Sequence, residues 1–127
     1  MIQSDCVLFV ASCDRYQDLW PGFFHCLNTH WPDNPFPVVL GANGASWSNP
    51  KVLSLRSAAS LSWSSQLRQQ LGMLDTEYVL LILDDFFLRR PVDTAWVGAA
   101  LEKGRQQRAA MVRLRIWRGS YSITAPA

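Results

Sequence analysis

A chain of 127 residues with a formal charge of +2 accommodates one compact domain, since domains commonly run to about 100–150 residues. The hydrophobic share is 49% and the charged share 17%, against about 25% charged in ordinary domains, which excludes a disordered or solvating tail. Six Trp, six Phe and three Tyr exceed what one small core needs, so some of these rings are expected to line a pocket or an interface.

Cys6-Val7-Leu8-Phe9-Val10-Ala11 is an unbroken apolar run, the pattern of a strand buried on both faces in a parallel sheet. It ends in the polar cluster Ser12-Cys13-Asp14-Arg15. From Tyr16 to Asn28, Tyr16, Leu19, Trp20, Phe23, Phe24 and Leu27 recur at helical spacing, and Pro21-Gly22 predict a late start or a kink. Trp31 to Pro35 is turn chemistry. Phe36 to Gly41 predicts a second buried strand, closed by Ala42-Asn43-Gly44, and Lys51 to Leu55 alternates as an edge strand does. Ser62 is placed to cap a helix running to about Leu74, with Trp63, Leu67, Leu71 and Leu74 on one stripe. Tyr78 to Leu83 is the strongest buried-strand signal and runs directly into Asp84-Asp85. After Pro91 and Asp93, the segment Thr94 to Gln107 predicts another helix. Met111 to Trp117 predicts a last strand with Val112, Leu114 and Ile116 on one face and Arg113 and Arg115 on the other.

This β-α-β-β-α-β-α-β order predicts an α/β domain, a mostly parallel sheet of about five strands with helices on both faces. In such sheets ligands bind beyond the carboxyl ends of the strands. The clusters Ser12-Cys13-Asp14-Arg15, Ala42-Asn43-Gly44 and Asp84-Asp85-Phe86-Phe87 are therefore expected to converge.

Several function classes lose support at this level. Cys6, Cys13 and Cys26 contain no C-x-x-C, so neither a disulfide framework nor a zinc site is indicated. His25 and His30 lack companions at metal-ligand spacing and read as structural. No G-x-G-x-x-G, G-x-x-x-x-G-K-[ST] or G-x-S-x-G occurs, against dinucleotide, P-loop and hydrolase chemistry. Ten of the twelve cations are Arg, seven of them from Arg89 onward. Arg suits phosphate or carboxylate, and a solvated basic face fits the same pattern. No nucleic-acid motif accompanies the charge, so nucleic acid is not an expected partner. No apolar stretch approaches the roughly 20 residues that span a bilayer, and the first residues lack a signal peptide's basic region. A cytoplasmic protein, not transmembrane but peripheral to the inner membrane through a partner, is the expectation.

Asp84-Asp85 is the sharpest chemical feature. Two adjacent carboxylates at a buried strand end repel each other and lose hydration. A divalent cation relieves both, Mg²⁺ or Mn²⁺ typically taking one or two carboxylates plus substrate phosphate oxygens. A cap or turn with one Asp paired to Arg89 or Arg90 accounts for the pair equally well.

Trp63-x-x-x-Leu67-x-x-x-Leu71 followed by Leu74-x-Thr76-Glu77 and the run Tyr78 to Leu88 through Asp84-Asp85 resembles bacterial sugar transferases of the GT-A fold, of the polysaccharide-biosynthesis type. The opening strand with Ser12-Cys13-Asp14-Arg15-Tyr16 resembles their first nucleotide loop. The resemblance covers nearly the whole chain, residues 1–127, as the nucleotide-binding half of such an enzyme, with the acceptor-binding half beyond it or absent. It implies a nucleotide-diphosphate sugar as donor, a saccharide or lipid-linked acceptor, and Mn²⁺ or Mg²⁺. The family's acidic motif is Asp-x-Asp, whereas this chain has Leu83-Asp84-Asp85. Alignment on the strand end implies Asp85 as the metal ligand and Asp84 as a supporting or sugar-contacting group. It further implies that Ser12, Asp14 and Arg15 contact base or ribose, that Asn43 closes that loop, and that Trp63 walls the pocket. No residue stands out as a catalytic base.

A reading from another class is a non-catalytic α/β interaction module whose Arg-rich final strand packs on a partner or pairs with a second copy as a homodimer. A response-regulator-like phosphoacceptor fits less well, because its acidic pair belongs after the first strand, where Asp14 stands alone.

Overall fold

The computed structural model describes residues 3–115 and 119–124. Its centre is β1 (Gln3–Ala11), which pairs in parallel with β2 (Val38–Ala42) on one side and β4 (Asp75–Leu83) on the other. β3 (Val52–Arg56) pairs in parallel beyond β2, so the sheet has four strands in the order β3-β2-β1-β4. β3 is an edge strand, as its alternation predicts.

Both faces of β1 are covered, which is why its sequence is an unbroken apolar run. Leu8 and Val10 point toward α1 (Trp20–His30), meeting Trp20, Phe23, Phe24 and Leu27, with Val97 of α3 (Thr94–Gln106) in the same cluster. Val7, Phe9 and Ala11 point the other way, toward Leu67 and Leu71 of α2 (Trp63–Leu71). Val7, Phe9 and Val10 are wholly inaccessible to solvent; burying such a side chain stabilises by about 1.5–3 kcal/mol.

The helices start where local chemistry says they should. A 3₁₀ helix over Asp14–Leu19 precedes α1, and Pro21 occupies its first turn, a position that has no amide bond to lose. Ser62 caps α2 by accepting from the Ser65 amide, and Asp93 caps α3 by accepting from the Trp96 amide. α2 stops at Leu71, short of Leu74, with Gly72 at its end. β1 and β4 each begin three residues before their unbroken apolar runs, at Gln3 and Asp75, because the β1–β4 ladder extends to Gln3↔Asp75. The parallel β2–β3 connection, residues 43–51, contains no helix. Trp47 of that loop stacks on Phe24 at 5.2 Å between ring centres and covers this face in a helix's place.

The expected five-stranded sheet needs correction. The last predicted strand, β5 (Met111–Arg115), forms an antiparallel hairpin with β6 (Ser120–Thr124), apart from the parallel sheet. Its alternation of Val112 and Leu114 with exposed Arg113 and Arg115 suits a ribbon with one wet face rather than a strand covered on both. The turn includes Gly119 at φ +61°, where a side chain would be strained. Ile116 and Trp117, assigned to the same strand from sequence, lie outside the described residues. The hairpin rests on α3: a Cβ on Gly104 would come within 2.7 Å of Val112 Cγ2, and the Trp96 and Tyr121 rings lie 6.3 Å apart. Among the described residues, no helix is long and apolar enough to cross a membrane.

Candidate functional site

The ladder around β1 continues one step past its end. The Ser12 amide donates to Gly41 O at 2.9 Å and the Asp84 amide donates to Ala11 O at 3.3 Å. Ser12 and Asp84 therefore emerge side by side at the carboxyl edge of the sheet. β4 ends at Leu83, and Asp84 and Asp85 form a turn closed by the Phe86 amide, which donates to Leu83 O at 3.1 Å. Asp84 is 8% exposed and Asp85 is exposed.

Asp84 is held by a chain of two hydrogen bonds. The Trp20 indole Nε1–H donates to Ser12 Oγ at 2.8 Å, and the Ser12 hydroxyl donates to Asp84 Oδ2 at 2.5 Å. An indole N–H can only donate. The Ser12 oxygen must then accept from Trp20, and its proton is left for Asp84. Asp84 Oδ1 takes no hydrogen bond among the described residues.

Between the ends of β1 and β4 and the start of α2 lies an open cleft of about 190 Å³. Ser12, Cys13, Tyr16, Trp63, Asp84 and Asp85 border it. Two of its walls are aromatic and solvent-facing, Tyr16 at 47% and Trp63 at 56% exposure. Trp63 thus leaves the apolar stripe assigned to it from sequence; Leu67, Leu71 and Leu74 cover the sheet and Trp63 stands at the cleft.

Asp14 and Asn43 brace the neighbouring loops. Asp14 accepts from the backbone amides of Asn43, Gly44 and Ala45 at 2.8–3.1 Å, and its own amide donates to Asn43 Oδ1 at 3.2 Å. Burial pushes the Asp14 carboxyl up, but the amides of Gly44, Ala45 and Asn43, with the Arg56 charge, hold it below the ordinary carboxylate value. Asn43 Nδ2 donates to Gln66 Oε1 at 2.9 Å and to Ser57 O at 3.3 Å. Beneath them the buried Gln70 donates to Ala42 O at 2.9 Å and to Ser57 Oγ at 2.8 Å. Arg15 is exposed, its guanidinium 5.9 Å above the Tyr16 ring.

Of the three clusters expected to converge at the strand ends, the first and the last meet at the cleft, while the second reaches only Asp14 of the first. Ser12, Trp63, Asp84 and Asp85 share the cleft, while Asp14 and Asn43 spend their polar atoms on the adjoining loop and Arg15 lies outside the lining. The alternative pairing of an Asp with Arg89 or Arg90 is not formed; the ion pairs among the described residues gather on Arg105. Sequence reasoning missed Tyr16 and Cys13 as wall residues and Trp20 as a donor. Trp20 sits on an apolar helical stripe, and nothing local marks its indole N–H as reaching a polar floor.

Among the described residues no group of three or more His, Cys, Asp or Glu surrounds a common point. The donors at the cleft are hard carboxylate oxygens, a set that fits Mg²⁺ or Mn²⁺ completed by phosphate and water rather than a cage of protein ligands. Fold and site together define an α/β domain with a carboxylate-floored, aromatic-walled cleft at the carboxyl edge of a parallel sheet. The chain matches no family model, no curated protein and no solved structure.

Proposed function

We propose that this domain binds the diphosphate of a nucleotide-diphosphate sugar through a divalent cation on Asp84–Asp85, as the donor-binding half of a glycosyltransferase. The observation that carries the reading is Asp84, nearly buried and with one oxygen that takes no hydrogen bond among the described residues, beside exposed Asp85 at a cleft with two aromatic walls. A cation at this pair offsets the repulsion between the carboxylates and supplies a Lewis acid for a diphosphate leaving group. A cleft of about 190 Å³ is smaller than the roughly 300–1,000 Å³ of pockets that enclose a whole small ligand. It suits the charged centre of the donor, with the rings of the ligand lying against Tyr16 and Trp63. The resemblance at Ser12 to Tyr16 and at Tyr78 to Leu88 points the same way. The acceptor, saccharide or lipid-linked, would meet the cleft from its open side.

The test is thermal unfolding with Mn²⁺ and UDP, GDP or dTDP, alone and together. A ligand at roughly a hundredfold over its Kd stabilises the folded state by about 2.7 kcal/mol, a rise of several degrees. Metal plus one of the nucleotides should raise Tm more than either component alone. A flat response to all combinations overturns the reading.

A second reading, an interaction module, is favoured by the unpaired outer edge of β4 and by Leu81 exposed on that strand. β6 pairs with one edge of β5, the strand this reading assigned to the contact from sequence, and the other edge of β5 is unpaired among the described residues. Light scattering after size exclusion distinguishes the two: a dimer that ignores nucleotides supports the module.

A further inference from the structure

Resting on the cation reading above, we infer that Trp20 and Ser12 are positioning residues for Asp84, and that Asp84 Oδ1 is the oxygen on which the cation is anchored. The polarity of the chain is forced. Trp20 Nε1–H has no accepting alternative, so Ser12 is left to donate, either to Asp84 Oδ2 at 2.5 Å or to Cys13 O at 3.3 Å. The shorter bond, to a carboxylate, is the stronger. Ser12 thereby takes Oδ2 out of competition, fixes the carboxylate plane, and leaves Oδ1, which takes no hydrogen bond among the described residues, for the cleft that the side chain borders. Asp85 offers the opposite case, a solvated carboxylate that must give up rotational freedom to bind anything. Trp20 is itself fixed, 2% exposed in the core of α1, so the chain transmits the rigidity of the core to the cleft floor. Partners that orient a metal-binding side chain in this way typically account for 10–100-fold in affinity.

The experiment uses the whole chain and Mn²⁺ alone, with free Mn²⁺ read by electron paramagnetic resonance and indole N–H signals read by two-dimensional NMR. Asp84→Asn should abolish Mn²⁺ binding. Ser12→Ala should weaken it by about tenfold, and Ser12→Thr, which keeps the hydroxyl, should restore it. In wild type, Mn²⁺ should broaden the Trp20 indole signal more strongly than that of Trp31 at the far end of α1. Trp20→Phe should fall with Ser12→Ala, but Ser12→Ala decides the question, because Trp20→Phe opens space in the core and can fail to fold. Ser12→Ala binding Mn²⁺ as tightly as wild type, or Asp84→Asn retaining binding that Asp85→Asn loses, overturns this inference and leaves the cation reading standing. Wild type that takes up no Mn²⁺ overturns both.

Discussion

Asp14 and Asp84 stand at neighbouring strand ends but use their oxygens differently. Asp14 gives both to backbone amides of residues 43–45, so it closes a loop, whereas Asp84 keeps Oδ1 for the cleft. Because the folded-state value of Asp14 is lowered, its contribution is present above the ordinary carboxylate value of about 3.9 and is lost as pH falls through the folded-state value. Asp14→Ala should cost about 1–3 kcal/mol in urea denaturation at neutral pH, and the gap from wild type should narrow toward pH 2 (roughly the end of carboxylate titration). Trp63 makes the converse case. It is 56% exposed, so Trp63→Ala should change stability by no more than about 0.5 kcal/mol. If a nucleobase stacks on it, calorimetry with Mn²⁺ and the nucleotide should show a loss of about 1–3 kcal/mol of binding free energy. Equal affinity would remove Trp63 from the ligand's path.

At the scale of elements, the end of β2 is held by a close approach that a glycine permits. A Cβ on Gly41 would lie 2.2 Å from Gln70 Oε1 and 2.7 Å from Phe9 Cζ. Phe9 is fully buried and Gln70 is tied to Ala42 and Ser57, so neither yields easily. Gly41→Ala should destabilise by about 1–3 kcal/mol, seen as a lower urea midpoint with an unchanged slope. Pattern alone had made Gly41 the last residue of a buried strand without showing that α2 presses on it. Other elements were legible because their cause is local: Ser62 and Asp93 cap where their neighbours begin a periodic stripe, and Pro21 marks the start of α1. β6 was not legible. Ser120-Tyr121-Ser122-Ile123-Thr124 carries little apolar signal, and it becomes a strand because β5 is there to pair with it.

Across the whole molecule, β1 has paired strands on both sides and helices over both faces, while the hairpin shares its ladder with nothing else. Opening free energies should differ accordingly. Native-state hydrogen exchange should find the amides of Val7 to Val10 among the slowest, approaching the global unfolding limit, and those of Ser120 to Thr124 exchanging well before them. Uniform protection would mean that the hairpin unfolds with the sheet as one unit. The sequence by itself determined which segments, β6 apart, become strands and helices and that a carboxylate pair follows β4, since an unbroken apolar run, a capping serine and a helical stripe are properties of neighbouring residues. Tertiary structure decided the strand order, the departure of β5 from the sheet, the burial of Asp84 rather than Asp85, and the chain from Trp20 through Ser12 to a partner 72 residues away. Those outcomes depend on which surfaces meet when the elements pack, and the local pattern of residues carries no record of contacts at that separation.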